Sequence, residues 1–171
     1  MSDENEASAG GVDFAVVAYR EEGVWQMAEV SAEKATNVEE LAAELRRWPG
    51  DAGSLGMVSV DEDFLVIVRV SGATTRVLLS DITAATDWPI ALSVLEHLGL
   101  PLPDDDDDDE DEDEQAPAGD LAIVADLGMS AMDMGALLDD YDLYPDEMLS
   151  DIANKLGFGH LFDEVVGVAT H

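Results

Sequence analysis

The stretch that decides the fold is residues 56–79, which read GMVSVDEDFLVIVRVSGATTRVLL. It consists of three apolar runs and two short turns, with the runs at 56–60, 64–70 and 75–79 and the turns at 61–63 and 71–72. Short runs rich in valine, isoleucine and threonine that are bounded by turn residues are typical of strands. Because turns this short join neighbouring antiparallel strands, the stretch predicts a three-stranded meander.

The residues before and after the meander predict two more strands and two helices. Residues 14–20 and 24–30 are β-rich runs on either side of a Glu-Glu-Gly turn. Asn37 can cap a helix that Pro49 ends, and Pro89 opens a second helix that Gly99 ends. The predicted order is ββαβββα. The fold class is therefore α+β, with an antiparallel sheet and both helices on one of its faces.

An acidic tract interrupts the chain at residues 104–114, where every residue is Asp or Glu. A block of like charges repels itself and cannot bury apolar surface, so we expect an extended, disordered linker there. The tract leads to a division into four parts. These are a disordered N-terminus at 1–11, an α+β domain at 12–103, the acidic linker at 104–118 and a small helical domain at 119–171.

The part after the tract predicts short helices. Ser130 resembles a helix N-cap, and Pro145 opens a helix that has Lys155 in its last turn and Gly157 just past its end. Residues 120–127 fit either a helix or a strand, and the pattern does not decide between them.

The chain has 40 acidic and 7 basic residues in 171, a formal net charge of −33. The acidity is spread along the chain, with −12 in residues 1–103, −11 in 104–118 and −10 in 119–171. Such a charge repels nucleic-acid phosphates and anionic membranes, so we expect no direct nucleic-acid or membrane partner. Solubility and adaptation to high salt are alternative reasons for the composition. The polar, acidic N-terminus is unlike a signal peptide and no apolar run spans a bilayer, which predicts a cytoplasmic protein.

The motifs of several common enzyme sites are missing from the sequence. There are no cysteines, and none of the three histidines has a partner at metal-ligand spacing. A nucleophile elbow and a phosphate-binding glycine loop are absent, and the acidic tract lacks the glycine turn of a calcium loop. We therefore expect no catalytic residue, cofactor or metal site, and a protein that is not an enzyme.

Methionines and tyrosines after the tract are the candidate contacts to a partner. The methionines are Met129, Met132, Met134 and Met148. Methionine adapts to many surfaces, but filling a small helical core is the favoured interpretation of the group. Tyr141 and Tyr144 flank an acidic residue, and they can anchor a partner or staple the following helix. Met132, Tyr141 and Tyr144 are the predicted partner-binding residues.

Several motifs resemble those of an actinobacterial family, the tRNA adenosine deaminase-associated proteins. They are DLGMSAM at 126–132, DLYPDEML at 142–149, LGFG at 156–159, DFAVVAYREEGVW at 13–25 and LRRWPG at 45–50. The resemblance implies a genomic neighbourhood with a tRNA adenosine deaminase and brings no catalytic residues with it. A zinc deaminase needs an H-x-E and a P-C-x-x-C motif, and this chain has neither.

Two functions follow as hypotheses. The first is a non-catalytic, acidic accessory protein that binds a basic protein, with a tRNA adenosine deaminase as the partner that the resemblance implies. The second is a small-molecule or metal-sensing module that uses a pocket in the N-terminal sheet domain.

Overall fold

A six-stranded antiparallel sheet lies at the centre of the protein. The computed structural model describes residues 12–30, 32–48, 53–60, 64–72, 74–86, 88–100, 117–139 and 144–169. The strands are β1 Val12–Glu21, β2 Val24–Glu29, β3 Ser54–Val60, β4 Phe64–Ser71, β5 Thr74–Leu79 and β6 Ala118–Gly119. Their order in the sheet is β2-β1-β3-β4-β5-β6, and every neighbouring pair is antiparallel. The mixed α+β class predicted from the sequence is confirmed.

Five α-helices accompany the sheet within the described residues. They are α1 Val38–Leu45, α2 Pro89–Leu98, α3 Ala131–Leu138, α4 Pro145–Leu156 and α5 Gly159–Ala169. The side chain of Asn37 accepts a hydrogen bond from the Glu40 N–H at 2.8 Å, and that of Ser130 accepts one from the Asp133 N–H at 3.1 Å. These two side chains therefore fix where α1 and α3 begin, because each satisfies a backbone donor that the helix leaves unpaired.

The sheet is covered on both faces. On the first face, α1 and α2 pack against residues of alternating strand positions such as Val66 and Val68. On the second face, α3, α4 and α5 pack against the intervening positions, among them Leu65 and Ile67. Successive strand side chains point to opposite faces, so β4 is apolar along nearly its whole length because both of its faces are buried.

The helical part expected at 119–171 packs directly on the sheet. The helices of that part share one hydrophobic core with the second face of the sheet, where Phe14 and Leu55 contribute from the N-terminal part. The reason is physical: the sheet has apolar side chains on two faces, and the two N-terminal helices cover only one of them.

The segment after the acidic tract differs from both of the structures considered for it. Residues 120–127 form a run of turns that ends in a 3-10 helix at Ala125–Leu127, and not a strand or an α-helix. Just before it, β6 pairs with β5 and becomes the edge of the sheet. The predicted disordered N-terminus and the acidic residues 104–114 lie outside the described residues. In the part of the chain that is described, no helix is long and apolar enough to cross a membrane.

Candidate protein-interaction face

Two arginines of the sheet hold the segment that leads into the C-terminal helices. Arg69 on β4 and Arg76 on β5 are directly paired across the strands. The Arg69 guanidinium donates to both carboxylate oxygens of Asp126, at 2.9 Å to Oδ2, and to the Ile123 carbonyl, also at 2.9 Å. Arg76 donates to the Asp120 carboxylate at 2.7 Å. Residues 120–126 are therefore bound to the sheet by bidentate and charge-assisted hydrogen bonds.

The Arg69–Asp126 pair is asymmetric in its burial. The Arg69 side chain is 6% exposed, whereas that of Asp126 is 58% exposed. The hydrogen bond from Arg69 lowers the pKa of Asp126 below its ordinary value of 3.8, with partial burial acting in the opposite direction. The carboxylate is thus the charged partner that a buried guanidinium needs, and it reaches that guanidinium from the protein surface.

At the opposite edge of the sheet, Trp25 on β2 fastens the end of α4. Its indole N–H donates to the Leu156 carbonyl at 3.2 Å, and its ring lies 4.6 Å from that of Phe158. The Arg20 guanidinium also lies over the indole, 5.3 Å from the ring centroid. The C-terminal layer, by which we mean α3, α4 and α5, is therefore attached to the sheet at its β2 edge, and the segment that leads into this layer is held on β4 and β5.

Only one of the four methionines after the tract points outward. Met129, Met134 and Met148 are buried in the core of the second face, whereas Met132 is 83% exposed. A solvated side chain of this size and polarity contributes nothing to the core, and adaptable methionines recur on binding surfaces. Met132 is thus the member of the group that remains available to a partner.

Tyr144 is exposed as well, at the start of α4. It is the N-cap residue, its side chain is 58% exposed, and its backbone N–H donates to the Glu147 carboxylate at 3.0 Å. Tyr144 and Met132 therefore both lie in the C-terminal layer, each beside the first turn of its helix. Tyr141, the third predicted contact, lies outside the described residues.

The exposed surface of the C-terminal layer is acidic. Its exposed acidic residues within the described part are Asp133, Asp139, Asp146, Glu147, Asp151, Asp163 and Glu164. Lys155 is the only lysine or arginine in residues 119–171, and its ammonium lies 3.5 Å from the Asp133 carboxylate. The Nε2 atom of His160 is 3.2 Å from the Glu164 carboxylate, four residues further along α5, so the expectation that no histidine has an acidic partner at this spacing is wrong. The one ammonium of this layer is thus matched to one of its own carboxylates, and a field of one sign remains.

A groove of about 320 Å³ runs between α3 and α4. On one side it is lined by Met129, Asp133 and Leu137, which are spaced four residues apart, and on the other by Asp151, Asn154 and Lys155. Asp133 and Leu137 lie one turn apart on α3, and Met129 comes just before the N-cap Ser130. The floor is therefore apolar, while the rim carries two carboxylates and the single ammonium.

A second groove, of about 340 Å³, lies in the helical layer that covers the first face of the sheet. It is between the start of α1 and the second half of α2. The Ser93 hydroxyl there accepts from the Val38 N–H at 2.9 Å and donates to the Ile90 carbonyl at 2.7 Å. The Nε2 atom of His97 is 3.1 Å from the Thr75 carbonyl oxygen. These polar groups hold the two helices and β5 together, which is a structural use of them.

Across the described residues, no group of three or more His, Asp or Glu side chains is placed to hold a metal ion.

Comparison with known proteins now adds to the geometry. Residues 13–159 match the model of a family described as Rv3753c-like tRNA adenosine deaminase-associated protein. The chain belongs to this family. A relative from Mycobacterium tuberculosis strain H37Rv, Protein Rv3753c, is 37% identical over 153 residues, which is 90% of this chain and 87% of the relative. No solved structure matches the chain. The family resemblance inferred from the motifs is confirmed.

The sequence reasoning missed the groove and the arginine pairs. The signal for the groove was the four-residue spacing of Met129, Asp133 and Leu137 together with a lone lysine in an acidic segment. The signal for the arginine pairs was Arg69, a single charge inside an otherwise apolar strand. A charge at such a position requires a partner, and the partner had to come from a distant part of the chain.

Proposed function

We propose that this chain is a non-catalytic accessory protein that binds a basic protein through its C-terminal layer, and that the partner is a tRNA adenosine deaminase. The observation that carries the proposal is the acidic surface of α3, α4 and α5, on which Met132 and Tyr144 are exposed. The family description, which names a tRNA adenosine deaminase, supports the choice of partner and a site of action in the cytoplasm.

The physical basis is complementarity of charge. An enzyme that binds tRNA presents positive charge to the phosphates. An acidic protein with a net charge of −33 is attracted to such a surface, and the attraction is screened over about 8–10 Å at physiological salt. We propose that the acidic residues 104–114 remain extended and add to this field. Exposed apolar side chains then supply the contacts that slow dissociation.

The binding experiment uses the full-length chain and the deaminase of the same organism. We expect association measured by interferometry to slow strongly between about 50 and 300 mM salt, because screening weakens electrostatic steering. Replacing the acidic residues of 104–114 with Asn and Gln should slow association further. Met132→Ser combined with Tyr144→Ser should speed dissociation. Val24→Ser is the control, since Val24 is 57% exposed on the β1–β2 hairpin and, as the neighbour of Trp25 on the same strand, points to the sheet face opposite to the C-terminal layer.

If the two proteins do not bind at about 50 mM salt, the proposed partnership is wrong. Binding in which Val24→Ser has the same effect as the double variant would contradict the choice of surface.

The non-catalytic part of the proposal has its own test. The purified chain, with and without added zinc, should form no inosine in tRNA, because the ligand set of a zinc deaminase is missing from the sequence. The deaminase assayed in parallel is the positive control. Stoichiometric zinc together with inosine formation by this chain alone would contradict the prediction.

A further inference from the structure

The groove between α3 and α4 combines an apolar floor with a rim of mostly negative charge. Met129 is buried at its base, and Leu137 is packed partly against the same core. Asp133 and Asp151 lie on opposite sides, because one belongs to α3 and the other to α4. A binding element that fits must bring apolar side chains for the floor and positive charge for the rim.

We infer that this groove binds an amphipathic basic helix of a protein partner, and that a lysine or arginine of that helix takes the place of Lys155 at Asp133. The inference depends on the proposed function in one respect, which is the positive charge of the partner. An amphipathic helix in a groove is a recurring mode of recognition, in which apolar residues along one face of the helix fill the groove. Met132, the residue before Asp133 on α3, is highly exposed but does not line the groove.

Lys155 is the residue that gives the inference its sharpest consequence. The Asp133 and Lys155 side chains are 50% and 52% exposed, and their charged atoms are 3.5 Å apart. Half-exposed pairs of this kind are weak and readily exchanged. Lys155 thus acts as a resident cation that an incoming lysine or arginine must displace, so it competes with the partner.

Removing Lys155 should therefore strengthen binding, while removing Asp133 should weaken it. The probe is a synthetic helix of about 14 residues, built from leucine and lysine in amphipathic order, titrated into the full-length chain by calorimetry. We expect Lys155→Gln to tighten binding about three-fold and Asp133→Asn to weaken it about ten-fold, changes of the size that one exchanged charge contact produces. Asp151→Asn should weaken binding in the same direction.

The matched control is Arg47→Gln, just past the end of α1. Arg47 is 3.5 Å from Glu44, its side chain is 74% exposed, and the substitution changes the net charge by the same single unit. Arg47→Gln should leave the affinity for the helix unchanged. A peptide of the same composition in non-amphipathic order, and a leucine–glutamate helix, should bind weakly or not at all.

Equal effects of Lys155→Gln and Arg47→Gln would overturn the inference, since binding would then follow total charge alone. So would unchanged affinity in Asp133→Asn with its melting temperature preserved, or tight binding of tRNA that Asp133→Asn abolishes.

The same variants measured against the deaminase separate this inference from the proposed function. If the deaminase binds but does not distinguish Lys155→Gln from Arg47→Gln, the groove is wrong and the partnership stands. If the helix shows the expected pattern and the deaminase fails to bind, the groove stands and the partner is a different basic protein.

Discussion

At the scale of single residues, the buried charge of Arg69 is the most demanding feature of the fold. It lies in the middle strands of the sheet with its side chain 6% exposed, and its hydrogen bonds reach Asp126 and the Ile123 carbonyl. A buried guanidinium without a counter-charge is costly, so the segment that carries Asp126 is held where the charge requires it.

We expect Asp126→Asn to lower the free energy of unfolding by about 1 kcal/mol. This is the contribution of a charge-assisted hydrogen bond, reduced because solvent screens the exposed carboxylate. The folded-state pKa of Asp126 lies below 3.8, so the pair stabilises the protein fully above that value and loses its effect as pH falls through the lowered pKa. The difference in unfolding free energy between the two proteins should therefore shrink below about pH 4.

Urea unfolding of both proteins at several pH values measures this difference. Asp163→Asn, at an exposed site on α5, is the control for the loss of one negative charge. A destabilisation by Asp126→Asn that persists unchanged at the lowest pH would contradict the electrostatic account.

At the scale of elements, β6 is the shortest strand and the point at which the chain returns to the sheet after the acidic tract. It pairs Ala118 and Gly119 with the end of β5. Gly119 has a φ of 116°, and a Cβ atom there would lie 2.3 Å from the Val77 carbonyl oxygen. The close approach of the two strands thus depends on the absence of a side chain.

Gly119→Ala should lower the free energy of unfolding by about 3 kcal/mol, since backbone strain and overpacking add. Gly72→Ala is the matched control: Gly72 also has a positive φ, 61°, but nothing lies within 4 Å of the added atom. It should cost about 1 kcal/mol, from backbone strain alone. Equal effects in denaturant unfolding would show that the contact of β6 with β5 does not constrain this position.

At the scale of the whole molecule, the protein is a sheet between two helical layers, and the acidic tract joins two parts of one core. The described chain before the tract ends at Leu100, just past α2 on the first layer, and resumes at Pro117, next to the sheet edge. Among the described residues, the helices that cover the second face of the sheet, with side chains such as Phe14, Leu65 and Ile67, all come after the tract.

A fragment of residues 1–103 should therefore fail to fold cooperatively. It leaves seven large apolar side chains of the sheet uncovered, namely Phe14, Val16, Leu55, Met57, Leu65, Ile67 and Leu78. Burial of each contributes about 1.5–3 kcal/mol, so the loss is comparable with the whole stability of a domain, about 5–15 kcal/mol.

The fragment should bind a hydrophobic dye and show a broad thermal transition, or should aggregate. The full-length chain is the control. A monomeric fragment with a sharp transition and no dye binding would restore the division at the tract into independently folding parts.

By itself, the sequence determined the class of the fold, the caps and ends of several helices and the family. Asn37 and Ser130 make the N-cap hydrogen bonds predicted for them, and Gly99 ends α2 with a left-handed φ of 75°. These features were predictable because they depend on interactions within a few residues. The acidity and the lack of a deaminase's zinc-ligand motifs also follow directly from the sequence.

Only the tertiary structure decided which face of the sheet the last helices cover and which methionine after the tract is exposed to solvent. The apolar residues of β4 on both sides of its pleat did indicate burial on both faces, but they did not indicate which elements cover those faces. The partners of Arg69 are 54 and 57 residues away, and Lys155 reaches Asp133 only because α3 and α4 pack side by side. Contacts at such separations form when the whole core assembles, and patterns among neighbouring residues of the sequence do not predict them.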